Sequence, residues 1–339
     1  VEIYVRPAVL TYRRPFGISR WTRTETHNVF VEVHHEGIVG YGEGAPNARY
    51  GESQEQAIAK LTTLPGHPFH SPLQWLEIHA CLRAHFSGAR AAEAALDMAL
   101  HDWAGKYEGR PLFQLWGMHT NCTIPTSYTI GLSAPEEMAR LAAEVAGSFR
   151  VLKVKLGTRQ DYAIIEAIRA VTDVPLRVDA NEGWSDVRQA LEMIHWLAGQ
   201  GVELVEQPLP AGRWEEMAWL KEHSPLPLIA DEDAHEPIPW DRLVRAYHGI
   251  NIKLDKCGGL TRARYLVGSA RARGLRIMLG CMVASSLSIT AAAHLSGYAD
   301  YADLDGHLLL ASDPYEGLRL EEGRLCLPER PGIGVVPRS

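Results

Sequence analysis

The feature that most restricts how this chain can fold is a set of charged residues placed at the ends of successive apolar, strand-like runs. They stand in Val151-Leu-Lys153-Val-Lys155, Leu176-Arg-Val-Asp179-Ala-Asn181, Leu204-Val-Glu206-Gln-Pro208, Leu228-Ile-Ala-Asp231-Glu232-Asp233 and Ile250-Asn-Ile-Lys253. From Lys155 the successive steps to Asp179, Glu206, Asp231 and Lys253 are 24, 27, 25 and 22 residues, each room for a loop, a covering helix and the next strand. Strand/helix alternation at that spacing predicts a parallel α/β barrel, in which every strand delivers its C-terminal end to one mouth. Three carboxylates and three lysines are thereby expected to meet. That is the layout of a metal site flanked by bases.

The alternation begins near Thr123 and continues to about residue 310, with further strands expected at 126–130, 276–280 and 301–304. Ahead of it, Asn28-Val-Phe-Val-Glu-Val-His34 alternates like a strand, turns at His35-Glu-Gly37 and leads into Ile38-Val-Gly-Tyr-Gly42. Helical spacing follows from about Ser53 and again over 91–107, with a stop at Gly109-Arg-Pro111. Gly40-Tyr-Gly42-Glu-Gly44 lacks the spacing and following helix of a nucleotide-binding loop and predicts a hairpin bend. After the barrel, two short strands flank Glu321-Glu-Gly323. The expected organisation is an α+β unit over 1–115, the barrel over 120–312, and a segment 313–339 that returns to the first unit.

At 339 residues the chain can bury a large core, and its net charge of −7 gives no electrostatic reason to expect nucleic acid or an anionic membrane as partner. No apolar run approaches bilayer length. The first residues, Val1-Glu-Ile-Tyr-Val-Arg6, lack the layout of a signal peptide, and the five cysteines are scattered with no C-x-x-C pair. Reduced thiols in a cytoplasm are therefore expected.

Asp179, Glu206 and Asp231 are all hard oxygen donors, which suits Mg²⁺. Any one of them alone reads as a helix cap. Three on consecutive strands with lysines at either end of the series point to a metal. Lys153 and Lys155 lie two apart and face the same side of one strand, where each ammonium disfavours charge on the other. Lys253 comes from across the barrel. Two bases approaching one carbon from opposite faces are what a 1,1-proton transfer requires; for either lysine alone, a solvent-facing strand end explains it equally well. Lys256 reads as such a surface residue.

These residues resemble the enolase superfamily, muconate-lactonizing subgroup, and within it dipeptide epimerases of the L-Ala-D/L-Glu type. The resemblance spans nearly the whole chain and rests on Arg49-Tyr-Gly-Glu-Ser53, Ala94-Ala-Leu-Asp-Met-Ala-Leu-His-Asp-Trp103, the lysine and carboxylate strand ends above, Asn251-Ile-Lys-Leu-Asp-Lys256 and Ala302-Asp-Leu-Asp-Gly306. It implies a modified TIM-type (β/α)7β barrel with an α+β capping domain. It also implies one Mg²⁺ per subunit on Asp179, Glu206 and Asp231, and a dipeptide whose C-terminal residue loses its α-proton to give an enediolate. Lys155 and Lys253 are then the acid/base pair, assisted by Lys153. Asp303 and Asp305, two apart on the last strand, hold the α-ammonium, Thr129 contacts substrate, and Asn181 and Glu232 orient the ligands and a lysine.

Specificity in such enzymes lies in capping-domain loops, here 17–23 and 46–53. By resemblance, Arg20 pairs with an acidic substrate side chain. Trp21 departs from the familiar pattern and narrows the pocket, while Asp233 and Glu52 add acids that would favour a cationic side chain. A homo-oligomer is also compatible with the resemblance. The alternatives are a syn-dehydrating lyase or cycloisomerase of the same subgroup (o-succinylbenzoate synthase or muconate cycloisomerase type), which has no ammonium for Asp303 and Asp305 to recognise, and a metal-binding relative without turnover. A Schiff-base aldolase would not need three metal carboxylates.

Overall fold

The computed structural model of the chain describes residues 1–64, 69–118 and 121–338. Its first unit is an antiparallel sheet of β1 (Glu2–Ile18), β2 (Trp21–His35) and β3 (Ile38–Gly44) in that order. The turn expected at His35-Glu-Gly37 is present, with both Glu36 and Gly37 at positive φ. The helices α1 (Gln54–Thr62), α2 (Trp75–Leu82), α3 (Arg90–Tyr107) and α4 (Leu112–Leu115) follow. Ser53 caps α1 through the Gln56 amide.

The glycine run at 40–44 is not a bend. It is strand β3, and Gly40, Gly42 and Gly44 present one face to Ala99, Ala95 and Ala91 of α3, where any Cβ would overlap the helix backbone. Period two on the strand meets a spacing of four on the helix, so backbone packs on backbone. Around this contact Val29, Val31 and Val33 of β2, Trp103 and Phe86 form the core of the unit.

After β4 (Cys122–Pro125) the barrel strands and helices alternate: β5 (Tyr128–Ile130), α5 (Pro135–Val145), β6 (Leu152–Lys155), α6 (Asp161–Arg169), β7 (Leu176–Asp179), α7 (Val187–Ala198), β8 (Val202–Glu206), α8 (Trp214–His223), β9 (Leu228–Ala230), α9 (Trp240–Ala246) and β10 (Gly249–Ile252). The short α10 (Leu254–Cys257) and α11 (Leu260–Arg271) lead to β11 (Arg276–Leu279), α12 (Ser286–Ala293) and β12 (Tyr301–Ala302). Strands β5 to β12 form one 8-stranded parallel sheet in sequential order. Its two edges meet through the parallel bridge of Thr126 with Ala302 and the Ser127 amide donating to Ala302 O at 3.1 Å. The result is a (β/α)7β barrel beside a capping unit.

The barrel strands carry Val, Ile and Leu that are buried on the helix side, as parallel strands covered by helices must. At the tail, β13 (Tyr315–Glu316) pairs with β16 (Val336–Pro337), while β14 (Arg319–Glu321) and β15 (Arg324–Cys326) form the expected hairpin. Among the described residues the hairpin does not pair with the N-terminal sheet: β15 adds to β4, at the start of the barrel. Contact with the capping unit comes instead from Tyr315, which accepts from Arg6 Nη2 at 3.1 Å and packs on Phe30 and Tyr41, and from Gly332 and Ile333, bonded to Leu112 N and Asp102 Oδ1. Among the described residues no helix is long and apolar enough to cross a membrane.

Candidate active site

Backbone register brings the strand-end charges together. Lys155 is the Cα partner of Asp179, and Asp179 of Glu206, so the three lie in one row across β6, β7 and β8. Asp231 follows the last residue of β9, and Lys253 follows β10. Asp179, Glu206 and Asp231 are buried, and one oxygen of each lies within 4.8 Å of the others. Glu206 Oε1 accepts from Asn251 Nδ2 at 2.7 Å, and its buried Oε2 is held by the Lys153 ammonium at 2.7 Å. Three converging, buried carboxylates, all hard oxygen donors, fit a hard divalent cation.

Cations surround these carboxylates. Lys153 Nζ stands 2.7 Å from Glu206 Oε2, 3.1 Å from Asp179 Oδ2 and 2.6 Å from Asp303 Oδ2. Lys155 Nζ is 2.7 Å from Asp179 Oδ2, and Lys253 Nζ is 2.8 Å from Asp231 Oδ2. Burial opposes charge on Lys153, but Asp303, Glu206 and Asp179 outweigh it and hold the ammonium well above its ordinary range. The lysine–lysine repulsion expected from the sequence is thus not what governs Lys153. Lys253 is raised in the same way, burial being overcome by Asp231 and Glu206. Asp179 is held down because Lys155 and Lys153 outweigh its burial, and Asp231 because Lys253 and Lys256 do.

β6 and β10 are four strands apart in a ring of eight. Lys155 and Lys253 therefore stand across the mouth from each other, with the three carboxylates on the arc between. Both lysines line one cavity at the mouth, together with Asp231, Asp303 and Asp305.

Strand β12 ends at Ala302, so Asp303 and Asp305 are not strand residues; they lie on the loop that enters the turn at 306–309. Both nevertheless line the cavity. Asp303 accepts from Lys153 and from Ser127 Oγ at 2.7 Å, and Asp305 accepts from Thr129 N at 2.5 Å. Thr129 Oγ1 reaches Asp303 at 3.4 Å. Burial and the neighbouring Asp303 push Asp305 up to about 7. Asp303 stays below its usual range, because Lys153 outweighs its burial.

The capping loops close the rim. Arg20 Nη1 donates to Asn181 O at 2.8 Å and to Glu182 Oε2 at 2.7 Å, and its Nη2 donates to Glu232 Oε1 at 2.8 Å. The guanidinium expected to await an acidic side chain is thus already paired. Arg49 is paired too, forked onto Glu182 at 2.8 and 2.7 Å. Arg23 differs. It lines the cavity, lies 4.3 Å over the Trp21 ring, and has no carboxylate partner among the described residues. Asn181 N donates to Asp179 Oδ1 at 2.9 Å, while burial, Asp231 and Asp179 push Glu232 up to about 7.

The two acids expected at the mouth are not there. Asp233 is buried under it, accepting from Tyr247 OH at 2.6 Å, Gln207 Nε2 at 3.0 Å and Gly212 N at 2.8 Å. Glu52 caps α3, accepting from the amides of Arg90 and Ala91. Neither can recognise a cation in the cavity.

Three residues were not singled out from sequence as part of the site. Lys256 is no surface residue: its Nζ is buried and donates to Asp231 Oδ1 at 2.5 Å, Asp231 O at 2.7 Å and Asn251 O at 2.9 Å. Asn251 anchors Glu206, and its place two residues before Lys253 was the available signal, since both face one side. Glu182 binds both capping arginines, and it follows the Asp-Ala-Asn strand end without any periodicity to mark it.

Two family descriptions match the chain: "Mandelate racemase / muconate lactonizing enzyme, N-terminal domain" over residues 1–117 and "Enolase C-terminal domain-like" over 137–339. The L-Ala-D/L-Glu epimerase of Bacteroides thetaiotaomicron is 41% identical over 330 residues, covering 97% of this chain and 86% of that protein. A substrate-liganded complex of the Bacillus subtilis L-Ala-D/L-Glu epimerase superposes with a TM-score of 0.92 at 30% identity, over 100% of this chain and 99% of the other. A Methylococcus capsulatus dipeptide epimerase complexed with Mg and L-Arg-D-Lys gives 0.87 at 33% identity, over 99% of each chain.

Proposed function

The chain belongs to the mandelate racemase/muconate lactonizing enzyme family, both of whose domains it carries, and from that membership we propose that it is a magnesium-dependent dipeptide epimerase. The observation that carries the reading is the pair Lys155 and Lys253, facing each other across the mouth with the carboxylate triad between them. Relatives named as epimerases of L-Ala-D/L-Glu and other dipeptides support it.

In this reading Asp179, Glu206 and Asp231 hold Mg²⁺, which when bound offsets negative charge building on the substrate's carboxylate. Lys153, buried and charged, stands where it can contact that carboxylate. One of Lys155 and Lys253, as a neutral amine, takes the α-proton of the C-terminal residue, and the electron pair left on carbon is delocalised into the adjoining carboxylate. The other lysine, as an ammonium, returns a proton to the opposite face. Asp303 and Asp305 bind the α-ammonium beside Thr129, a role that a lyase or cycloisomerase substrate would leave without purpose. Asn181 steadies Asp179, and Glu232 holds Arg20.

Arg23 supports an acidic C-terminal side chain. With Arg20 and Arg49 neutralised and Asp233 and Glu52 turned away, it is, among the described residues, the cavity cation without a carboxylate partner. The negative overall charge and scattered cysteines are in keeping with a cytoplasmic enzyme that binds no nucleic acid.

The test is proton NMR in D₂O with Mg²⁺, offering L-Ala-L-Glu beside hydrophobic and cationic dipeptides. Loss of the C-terminal α-proton signal and appearance of the diastereomer, both stopped by a chelator, is the expected result, fastest for L-Ala-L-Glu. No exchange with any dipeptide overturns the reading.

A further inference from the structure

We propose that Glu182 is a positioning residue that latches both capping loops over the cavity and so sets how often the mouth opens to solvent. Its carboxylate accepts from Arg20 Nη1 at 2.7 Å, from Arg49 Nε and Nη2 at 2.8 and 2.7 Å, and from Ala211 N at 2.9 Å. Arg20 belongs to the loop between β1 and β2, and Arg49 to the segment between β3 and α1. One barrel carboxylate thus ties down two separate parts of the capping unit.

The latch is itself held firmly. Glu182 and the preceding Asn181 both have positive φ, 67° and 45°, which few side-chain-bearing residues adopt. The Glu182 amide donates to Gln207 O at 2.9 Å, fixing the turn to the end of β8. Asn181 O accepts from Ser19 Oγ at 3.0 Å and from Arg20, so the same turn receives the first loop twice.

The arginines are held less tightly. The side chain of Glu182 is 10% exposed, but those of Arg20 and Arg49 are 30% and 37% exposed. Half-exposed ion pairs are individually weak and are screened by salt. A latch of that kind biases the loops shut yet lets them open. Since Arg20 and Arg49 line the cavity with Lys155 and Lys253, a ligand reaching the lysines from the rim must pass the segments that Glu182 restrains.

The decisive experiment compares wild type, Glu182→Gln and Arg49→Gln by hydrogen exchange of segments 17–23 and 46–53 without substrate. This arm does not depend on the dipeptide reading. Glu182→Gln should speed exchange in both segments together by about tenfold, the scale of two lost half-exposed charge pairs. Arg49→Gln, which keeps the Glu182 turn intact, should loosen 46–53 more than 17–23, and adding it to Glu182→Gln should change little further. Raising NaCl should loosen the wild type toward the variant. A kinetic arm rests on the proposed function: KM for L-Ala-L-Glu should rise about tenfold in Glu182→Gln with kcat within about twofold. Exchange unchanged in both segments, or changed in only one by Glu182→Gln, overturns the latch. If exchange rises as expected and no dipeptide reacts, the latch stands and the dipeptide reading falls.

Discussion

The barrel mouth and the capping rim handle charge in opposite ways. At the mouth, buried carboxylates and buried lysines compensate one another at 2.5–3.1 Å, on positions fixed by strand register. At the rim, arginines that are a third exposed reach barrel carboxylates from two loops. Buried pairs cost several kcal/mol of desolvation per ion and tolerate no missing partner, whereas half-exposed ones exchange readily with water and salt. Chemistry that must stay in place belongs in the first setting, and selection and access belong in the second.

The largest expected effect tests the mouth. Lys155→Ala and Lys253→Ala should each abolish epimerisation, a loss of at least about 10²–10⁴-fold, measured as α-proton exchange and diastereomer formation. A variant that still exchanged the proton of one diastereomer while failing to interconvert the two would show which lysine serves which face. Near-wild-type rates in both would end the two-base mechanism and the contrast with it.

Lys256→Met asks whether compensation at the mouth is as strict as burial implies. The variant keeps the bulk of the side chain but removes a buried cation 2.5 Å from Asp231 Oδ1. Breaking a buried pair in this way should cost about 3–5 kcal/mol, read from urea unfolding. A loss under about 1 kcal/mol would place the mouth with ordinary surface pairs.

At the rim, Arg23→Leu should raise KM for L-Ala-L-Glu about tenfold while kcat/KM for L-Ala-L-Leu stays within about twofold, because only the acidic side chain loses a charge partner. Equal effects on both dipeptides would mean that Arg23 shapes the pocket through Trp21 and does not read charge.

The same contrast explains what was legible in the sequence. Lys155, Asp179, Glu206, Asp231 and Lys253 could be placed from spacing alone, because a parallel barrel turns sequence period into spatial neighbourhood. The glycines of β3 were misread because their purpose is contact with α3, whose register on the strand no local pattern states. Lys256 was misread for a related reason: three residues past a strand end, it turns back under the mouth by way of α10. Arg20 and Asp233 differ again. Their residue types suit recognition, but their partners, Glu182 and Glu232 for the one and Tyr247 and Gln207 for the other, come from loops brought close only by the tertiary fold. Strand register is written locally, and loop partnerships are not.

Asp255 joins the two regions and sharpens the comparison with the smallest expected effect. It lies two residues past Lys253, and its Oδ1 accepts from the amide of Ala45, at the end of β3 in the capping unit, at 2.8 Å. Among the described residues no lysine or arginine pairs with it, so burial pushes it up to about 8, with Glu43 and Glu52 nearby acting in the same direction. Asp179 and Asp231 at the mouth stay ionised because lysines face them; Asp255, with no such partner among the described residues, keeps its proton in the folded protein near pH 7. Between the ordinary value of 3.8 and about 8 the folded state keeps a proton that the unfolded chain has released. Its stabilising contribution is therefore full at low pH and falls as pH rises through that window. One such group can contribute at most about 1.4 kcal/mol per pH unit, or roughly a degree or two in Tm for a chain of this size. Asp255→Asn keeps the shape and removes the titration, so its Tm should fall less steeply than wild type between about pH 5 and 8. Parallel curves for the two proteins would mean that Asp255 is ionised in the fold, and that the seam between cap and barrel carries charge as the rim does.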